Sequence, residues 1–350
     1  EELVAEASRE HVGPLLYSTL RSQGVLPADV EDRLHGQYLG SAARNSVLMR
    51  QLGQAVRRVG ETGAPVMALK GVALAGPVYG DIALRPMSDI DLLVHREDVS
   101  SALAALFSSG YARADLDERA QATEAFENEI LLRGAGSLDC PMELHWSLFD
   151  SPHYQHHLPI DWFWQTSTPD SIAGVRVQSM GPEALILYLC GHLLLHHRGA
   201  GLLWRLDIAE VIRRYASRID WETVLAQAGR SDLVLPLQRV LPALNADLGA
   251  PVPSNVLDRL ARLAPSPAEK RVVAWLTAER RPVAARLWAD LAAMPRWSER
   301  LRYAFMGIFP SAGYMRHRYG ICSGVLLPFC YPYRWFRGLC ELLRPRPGNS

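Results

Sequence analysis

The sequence predicts an α+β fold in which a core of short strands lies between two helical regions, and three observations predict it. First, "VEDRLHGQYLGSAARNSVLMRQLGQAVRRVGETG" places apolar residues at helical spacing and ends in a Gly-containing turn, so residues 1–62 read as a helical segment packing on the core. Second, residues 63–180 alternate short strand-like apolar runs with helix-compatible stretches. Third, from residue 181 the segments "GPEALILYLCGHLLLHHRG", "LLWRLDIAEVIRRYA", "WETVLAQAG" and "LVLPLQRVLPALNADL" follow one another as helices with short breaks, so 181–350 reads as a helical domain with a basic, aromatic tail.

Within the core, "APVMALK" (64–70) reads as a strand and "GVALAGPVYG" as a helix-compatible continuation. "DIDLLVH" (89–95) is the next strand. "REDVSSALAALFSSG" (96–110) begins with acidic residues, runs with helical period and closes on Gly, which punctuates a helix at both ends. "AFENEILLRG" and "LDCPMELHW" read as paired strands joined around Gly134–Gly136. "HYQHH" (153–157) reads as a loop over the site. The apolar run 182–195 is broken by Cys190-Gly191-His192, so it reads as a buried helix and no transmembrane segment is expected.

Composition narrows the partners. The chain is 49% hydrophobic and 21% charged, enough for a substantial core, and its formal net charge of zero gives no bulk attraction to nucleic acid. The charge is uneven: residues 296–346 hold nine Arg against Glu299 and Glu341, a formal +7. The tail segment "FCYPYRWFRGLCELLRPRP" combines aromatics with Arg as interfacial segments do. Pro328 and Pro332 are expected to break a long amphipathic helix there, which favours packing on the helical domain. Five cysteines without a CxxC spacing read as reduced thiols, and the acidic start "EELVAEASRE" has no apolar core of a secretion signal, so a cytoplasmic location is expected.

The chemistry centres on "RPMSDIDLLVH". Strand side chains alternate, so Asp89 and Asp91 project from one face while Ile90 and Leu92 face the core. Two adjacent carboxylates repel, and a divalent cation such as Mg²⁺ (or Mn²⁺) removes that conflict. "PMELHW" places Glu143 on another strand, a third carboxylate for the same ion pair, and three carboxylates on neighbouring strands suit two-metal phosphoryl chemistry. His145 shares the face of Glu143, where it touches substrate or metal, or only hydrogen-bonds. Gly71 opens a helix whose backbone N–H groups suit a phosphate, with Lys70 adding a cation and Arg85 a fork; Ser88, beside Asp89, joins the donor-binding set. Only Lys70 and Lys270 are lysine among 37 Lys+Arg, which singles out Lys70. Its plainer readings are a surface lysine or a pair with Asp81.

A strand ending in LKG, then "VYGDIALRPMSDIDLLV", a helix, and a later "ELHW" strand resemble the bacterial nucleotidyltransferase-like family of the polymerase-β superfamily. The resemblance continues through "LLWRLDIAEVI" and "FPSAGYMRHRYG". It implies a small mixed sheet flanked by helices, with Asp89 and Asp91 as metal ligands, Glu143 as third carboxylate and a nucleotide donor. Gly71-Val72 departs from the Gly-Ser or Gly-Gly of the wider superfamily, so the hydroxyl that commonly touches a donor phosphate is missing.

The leading expectation is an Mg²⁺-dependent transferase moving a nucleotidyl group from an NTP to a hydroxyl or phosphate of a small-molecule or peptide acceptor, in natural-product or polysaccharide biosynthesis. A second keeps the DxD site and changes the donor to a nucleotide sugar. A third is a non-catalytic nucleotide-binding or scaffold protein, against which the intact Asp89, Asp91 and Glu143 argue. His192 and His196, spaced four apart with His197 beside them, have zinc-compatible spacing but no acidic or cysteine partner, so a structural role is the expectation. Arg205 and Asp207 on one helix read by default as an ion pair, with contact to nucleotide or acceptor as the sharper alternative.

Overall fold

A long helix, α3 (Ala28–Gly60), organises the N-terminal part. Asp29 and Glu31 in its first turn and Arg57 and Arg58 in its last match the helix dipole, and Leu48, Leu52, Val56 and Val59 form its buried stripe. Two shorter helices, α1 (Glu2–Arg9) and α2 (Gly13–Arg21), precede it. The computed structural model describes residues 2–114, 128–134, 140–278, 291–292, 294, 296–310, 312–320 and 326–343.

The strands are β1 (Met67–Ala68), β2 (Ile90–Leu93), β3 (Ala112–Arg113), β4 (Glu129–Arg133), β5 (Met142–His145), β6 (Thr168–Ile172) and β7 (Val175–Ser179). They form one mixed sheet in the order β3-β4-β5-β2-β1-β7-β6. β2 runs parallel to β5 with Asp91 beside Glu143, and antiparallel to β1. β4 and β5 pair antiparallel as the sequence indicates, although most of their connection lies outside the described residues. The hairpin β6–β7 has no counterpart in the sequence reading. Its turn residues Ala173 and Gly174 both have positive φ, at 53° and 69°, the backbone that a two-residue hairpin turn demands.

Alternation along the strands divides the core into two layers. Ala68, Ile90, Leu92, Met142 and Leu144 pack with Leu48 and Leu52 of α3 and with Leu103 and Leu106 of α5 (Val99–Ser108). The opposite face carries Met67, Leu69 and Leu93, which join Leu187, Tyr188 and Leu194 of the helix Pro182–Leu195. The apolar run at 182–195 is thus a buried helix; among the described residues no helix is long and apolar enough to cross a membrane. The helical region from 181 onward therefore shares one core with the sheet. The N-terminal helices also reach it, since Val4, Val12, Tyr17 and Leu34 cluster with Leu203.

Two expectations need correction. "HYQHH" is a helix (Pro152–His157), with Pro at its start and His153 buried against Asp232 at 2.9 Å. Nor do the tail prolines stop a helix. One helix spans Leu327–Leu343, because Pro328 falls in its first turn, where no N–H partner is needed, and Pro332 is accommodated inside it. Cys140, Cys190 and Cys330 are in no disulfide among the described residues; Cys322 lies outside them.

Candidate active site

The sheet face turned toward helix Pro182–Leu195 carries the charge. Asp91 is the in-register neighbour of Glu143 on β2 and β5, and Glu129 on β4 is the cross-strand partner of His145. Asp89 lies just before β2. It lines the same cavity, of about 580 Å³, together with Lys70, Gly71, Arg85, Ser88 and Glu129. All eight residues singled out from the sequence line this cavity.

Lys70 is neither a surface lysine nor a partner of Asp81. Its Nζ donates to Asp91 Oδ1 at 2.7 Å and to Glu143 Oε2 at 3.3 Å. Asp81 instead accepts from Tyr38 and from the Ala83 amide. Burial pulls the Lys70 ammonium toward deprotonation, but the carboxylate of Asp91, followed by Tyr188 and Glu143, outweighs it and holds the pKa well above the ordinary value. The residue has φ of +46°, a left-handed backbone that a lysine adopts only at a cost of about 1–3 kcal/mol. The sharp turn from β1 into α4 (Lys70–Leu74) puts the strain where it aims the ammonium between two carboxylates. Gly71 is required next to it: a Cβ there would stand 2.7 Å from Arg85 Nη1 and 2.8 Å from Met87 Cγ.

His145 is the second buried cation. Its Nε2 stands 3.0 Å from Asp91 Oδ1 and 3.4 Å from Glu143 Oε2, while Nδ1 is 2.9 Å from Glu129 Oε2 in a bent contact. Burial disfavours its protonation, yet the charge of Glu129, with the contacts to Asp91 and Glu143, raises its pKa well above the usual histidine value. In return Glu143, despite desolvation, is held well below the ordinary carboxylate range by the His145 hydrogen bond and Lys70. Glu129 is lowered in the same way by His145. Asp89 goes the other way, raised by burial and by the charge of Asp91. A carboxylate pair that repels is here balanced from within by Lys70 and His145.

One oxygen of Asp91, one of Glu143 and one nitrogen of His145 all lie within 4.8 Å of one another. Asp89 stands outside that group but opens onto the same space. The place between Asp91 and Glu143 already holds an ammonium, so its field selects positive charge, and the oxygen donors suit a hard divalent cation. His145, protonated and hydrogen-bonded to the carboxylates, aligns them.

Arg85 is buried, and its guanidinium forks onto Asp207 at 3.2 Å and 2.7 Å, with Nη1 on the Pro86 carbonyl. Asp207 also accepts from Tyr79 at 2.8 Å. The pair expected between Arg205 and Asp207 does not form; Arg205 pairs with Asp247 instead. Two residues apart, they point to different faces of the helix: Asp207 inward, where a buried partner is needed, and Arg205 toward the surface.

Sequence reasoning missed the clamp on the loop that delivers Asp89. From α3, Arg44 donates to the Met87 and Ser88 carbonyls, and buried Asn45 donates to the Ile82 and Arg85 carbonyls. It also missed Glu129, which only the β4–β5 register reveals. His192, His196 and His197 line the cavity too. His192 is buried and its pKa lies well below the usual value, chiefly through desolvation. The His192 and His197 Nε2 atoms are 3.0 Å apart, and His197 stacks on Trp204 at 3.5 Å. No acidic ligand joins this pair into a metal group among the described residues.

A mixed sheet that sets acidic side chains on adjoining strands at the floor of a polar cavity has the character of a nucleotidyltransferase-like protein. The sequence profile of the uncharacterised nucleotidyltransferase family matches residues 1–246, and the chain belongs to that family. The match does not extend to 309–320. No functionally curated protein matches the sequence. A solved structure, that of an antigenic nucleotidyltransferase-like protein from Paracoccidioides brasiliensis, is 18% identical and covers 60% of this chain and 97% of its own, with a TM-score of 0.39. A likeness that loose carries no argument about activity.

Proposed function

We propose that the protein is a divalent-metal-dependent transferase that moves a nucleotidyl group from an NTP to a hydroxyl or phosphate of a small molecule or peptide. The observation that carries this reading is the in-register pair Asp91 and Glu143, with Asp89 at the strand mouth, facing one cavity. Asp89, Asp91 and Glu143 would hold Mg²⁺ (or Mn²⁺). When bound, such an ion neutralises donor phosphates and lowers the pKa of the attacking hydroxyl.

The chain's own residues have distinct tasks. Glu143 is held too acidic to be an effective proton acceptor, so its part is that of an ionised oxygen ligand. His145 and Glu129 fix the orientation of Asp91 and Glu143. Lys70, seated between Asp91 and Glu143 at the wall of the cavity, would supply a cation to a donor phosphate there. Ser88, whose hydroxyl donates to Asp89 at 3.1 Å, and the Gly71 backbone border the same space. Arg85, engaged with Asp207, ties the site loop to the helical region and sets the wall against which the donor rests.

Position 72 is a valine, buried in the core, so it offers no hydroxyl to a donor. This keeps a nucleotide-sugar donor as the second reading. The experiment is incubation with Mg²⁺ and a panel of NTPs and NDP-sugars, followed by mass spectrometry. Release of pyrophosphate with a nucleotidylated product supports the first reading, and a glycosylated product with free NDP supports the second. Donor binding without product would mark a non-catalytic nucleotide-binding protein.

A further inference from the structure

The helix Trp297–Ile308 exposes Trp297, Leu301, Phe305 and Ile308 at 73%, 66%, 61% and 49%. Their spacing of four, four and three residues places them on a single face. The helix Leu327–Leu343 repeats the pattern, with Leu326 just before it and Phe329, Tyr333 and Phe336 along it all exposed. The two helices are braced to each other. Trp335 Nε1 donates to the Ile308 carbonyl at 2.8 Å, Tyr331 to the Pro310 carbonyl at 2.9 Å, and Phe309 meets Trp335 edge-on at 5.2 Å.

Charge decides what this surface meets. Residues 296–346 carry a formal +7, all from arginine, in a chain of net zero charge. The two helices hold Arg300, Arg302, Arg334 and Arg337 against Glu299 and Glu341, so apposing a second copy would set net positive charge against net positive charge, a contact that disfavours self-association. Exposed Trp, Phe and Leu stripes flanked by Arg are the pattern of helices that lie in the headgroup region of a bilayer without crossing it. Neither helix is long and apolar enough to span one.

We propose that the helices Trp297–Ile308 and Leu327–Leu343 form a monotopic docking surface for an anionic lipid bilayer. The apolar stripes enter the headgroup boundary, and the arginines meet anionic lipid. The surface is independent of the proposed activity and lies beyond the matched family region. Flotation of the full chain with phosphatidylcholine vesicles, with and without phosphatidylglycerol, tests it. The protein should float with the anionic vesicles and be released by high salt. Phe305→Ser with Phe329→Ser should weaken binding by about tenfold or more. Arg302→Gln and Arg337→Gln should each cost about fivefold, on anionic vesicles only. Circular dichroism and melting of these variants should match wild type, because the substituted side chains are exposed. Should the double variant fail to fold, brominated lipid applied to wild type and to Trp297→Phe gives the same answer: quenching should shrink in the variant. Equal binding to neutral and anionic vesicles would overturn the proposal. So would an absence of binding to the anionic vesicles; a concentration-dependent dimer that the same variants disrupt would then assign the surface to a second copy.

Discussion

The cavity floor and the C-terminal helices treat charge and apolar surface in opposite ways. At the floor, Asp91 and His145 are almost wholly buried and each is met by opposite charge within about 3 Å. On the helices 297–308 and 327–343, arginine outnumbers acid and large apolar side chains face outward. A buried charge needs its partner inside the fold, since taking it from water costs several kcal/mol. An exposed aromatic stripe finds its partner outside the fold. The first region is built to exclude alternatives, and the second is finished only by what it meets.

The largest expected effect comes from breaking the first region at its centre. Asp91→Asn should abolish turnover and also destabilise the fold by about 3–5 kcal/mol, because Lys70 and His145 lose their shared partner. Asp89→Asn, at the cavity mouth, should abolish turnover with little loss of stability. Urea melts beside activity separate the two, and equal melts for both would show that Asp91 is not the keystone described.

Glu143→Gln should lower single-turnover rate by about two orders of magnitude or more while retaining donor affinity. Loss of affinity with an intact rate would remove it from the reacting centre.

The buried pair Arg85–Asp207 gives a more moderate effect. Asp207→Asn alone should cost about 3 kcal/mol, whereas Arg85→Met with Asp207→Leu should be milder, as expected when both charges leave together. A double variant worse than either single would show that the pair does more than join the loop to the helices.

Lys70→Ala should weaken donor affinity more than acceptor affinity, and Lys70→Arg should recover little, since a planar fork does not fit between Asp91 and Glu143 beside Gly71. Titration with a nonhydrolysable donor reads this directly. Equal affinities in all three proteins would leave donor binding to the metal and the cavity walls.

The smallest effect sharpens the contrast from within the helical region. Glu269 is fully buried beneath Leu235, and burial raises its pKa to about 7. A carboxyl raised on folding contributes stability that is complete below its unfolded value of about 4.5 and is lost as pH rises through 7. Wild type should therefore lose stability across that window. Glu269→Gln should flatten the profile, shifting the melting temperature at pH 8 upward by a few degrees, about what 1 kcal/mol gives. A profile that Glu269→Gln leaves unchanged would place the titration elsewhere.

Much of this was legible in the chain because it depends on local periodicity. The 3.6-residue stripe of α3, the alternation that sets Asp91 opposite Ile90 and Leu92, and the family motif around "SDIDLLV" are properties of neighbouring residues. Lys70 announced itself as a rare lysine, though not what it would hold. What only tertiary structure decided is pairing over long separations. Glu129 reaches His145 through strand register, Arg85 chooses Asp207 rather than solvent, and Arg44 and Asn45 clamp a loop some 40 positions away. The sequence specifies that these polar groups exist. Which of them meet is fixed only when the sheet and helices close over them, because a buried charge or amide must find its partner among whatever the packing brings near.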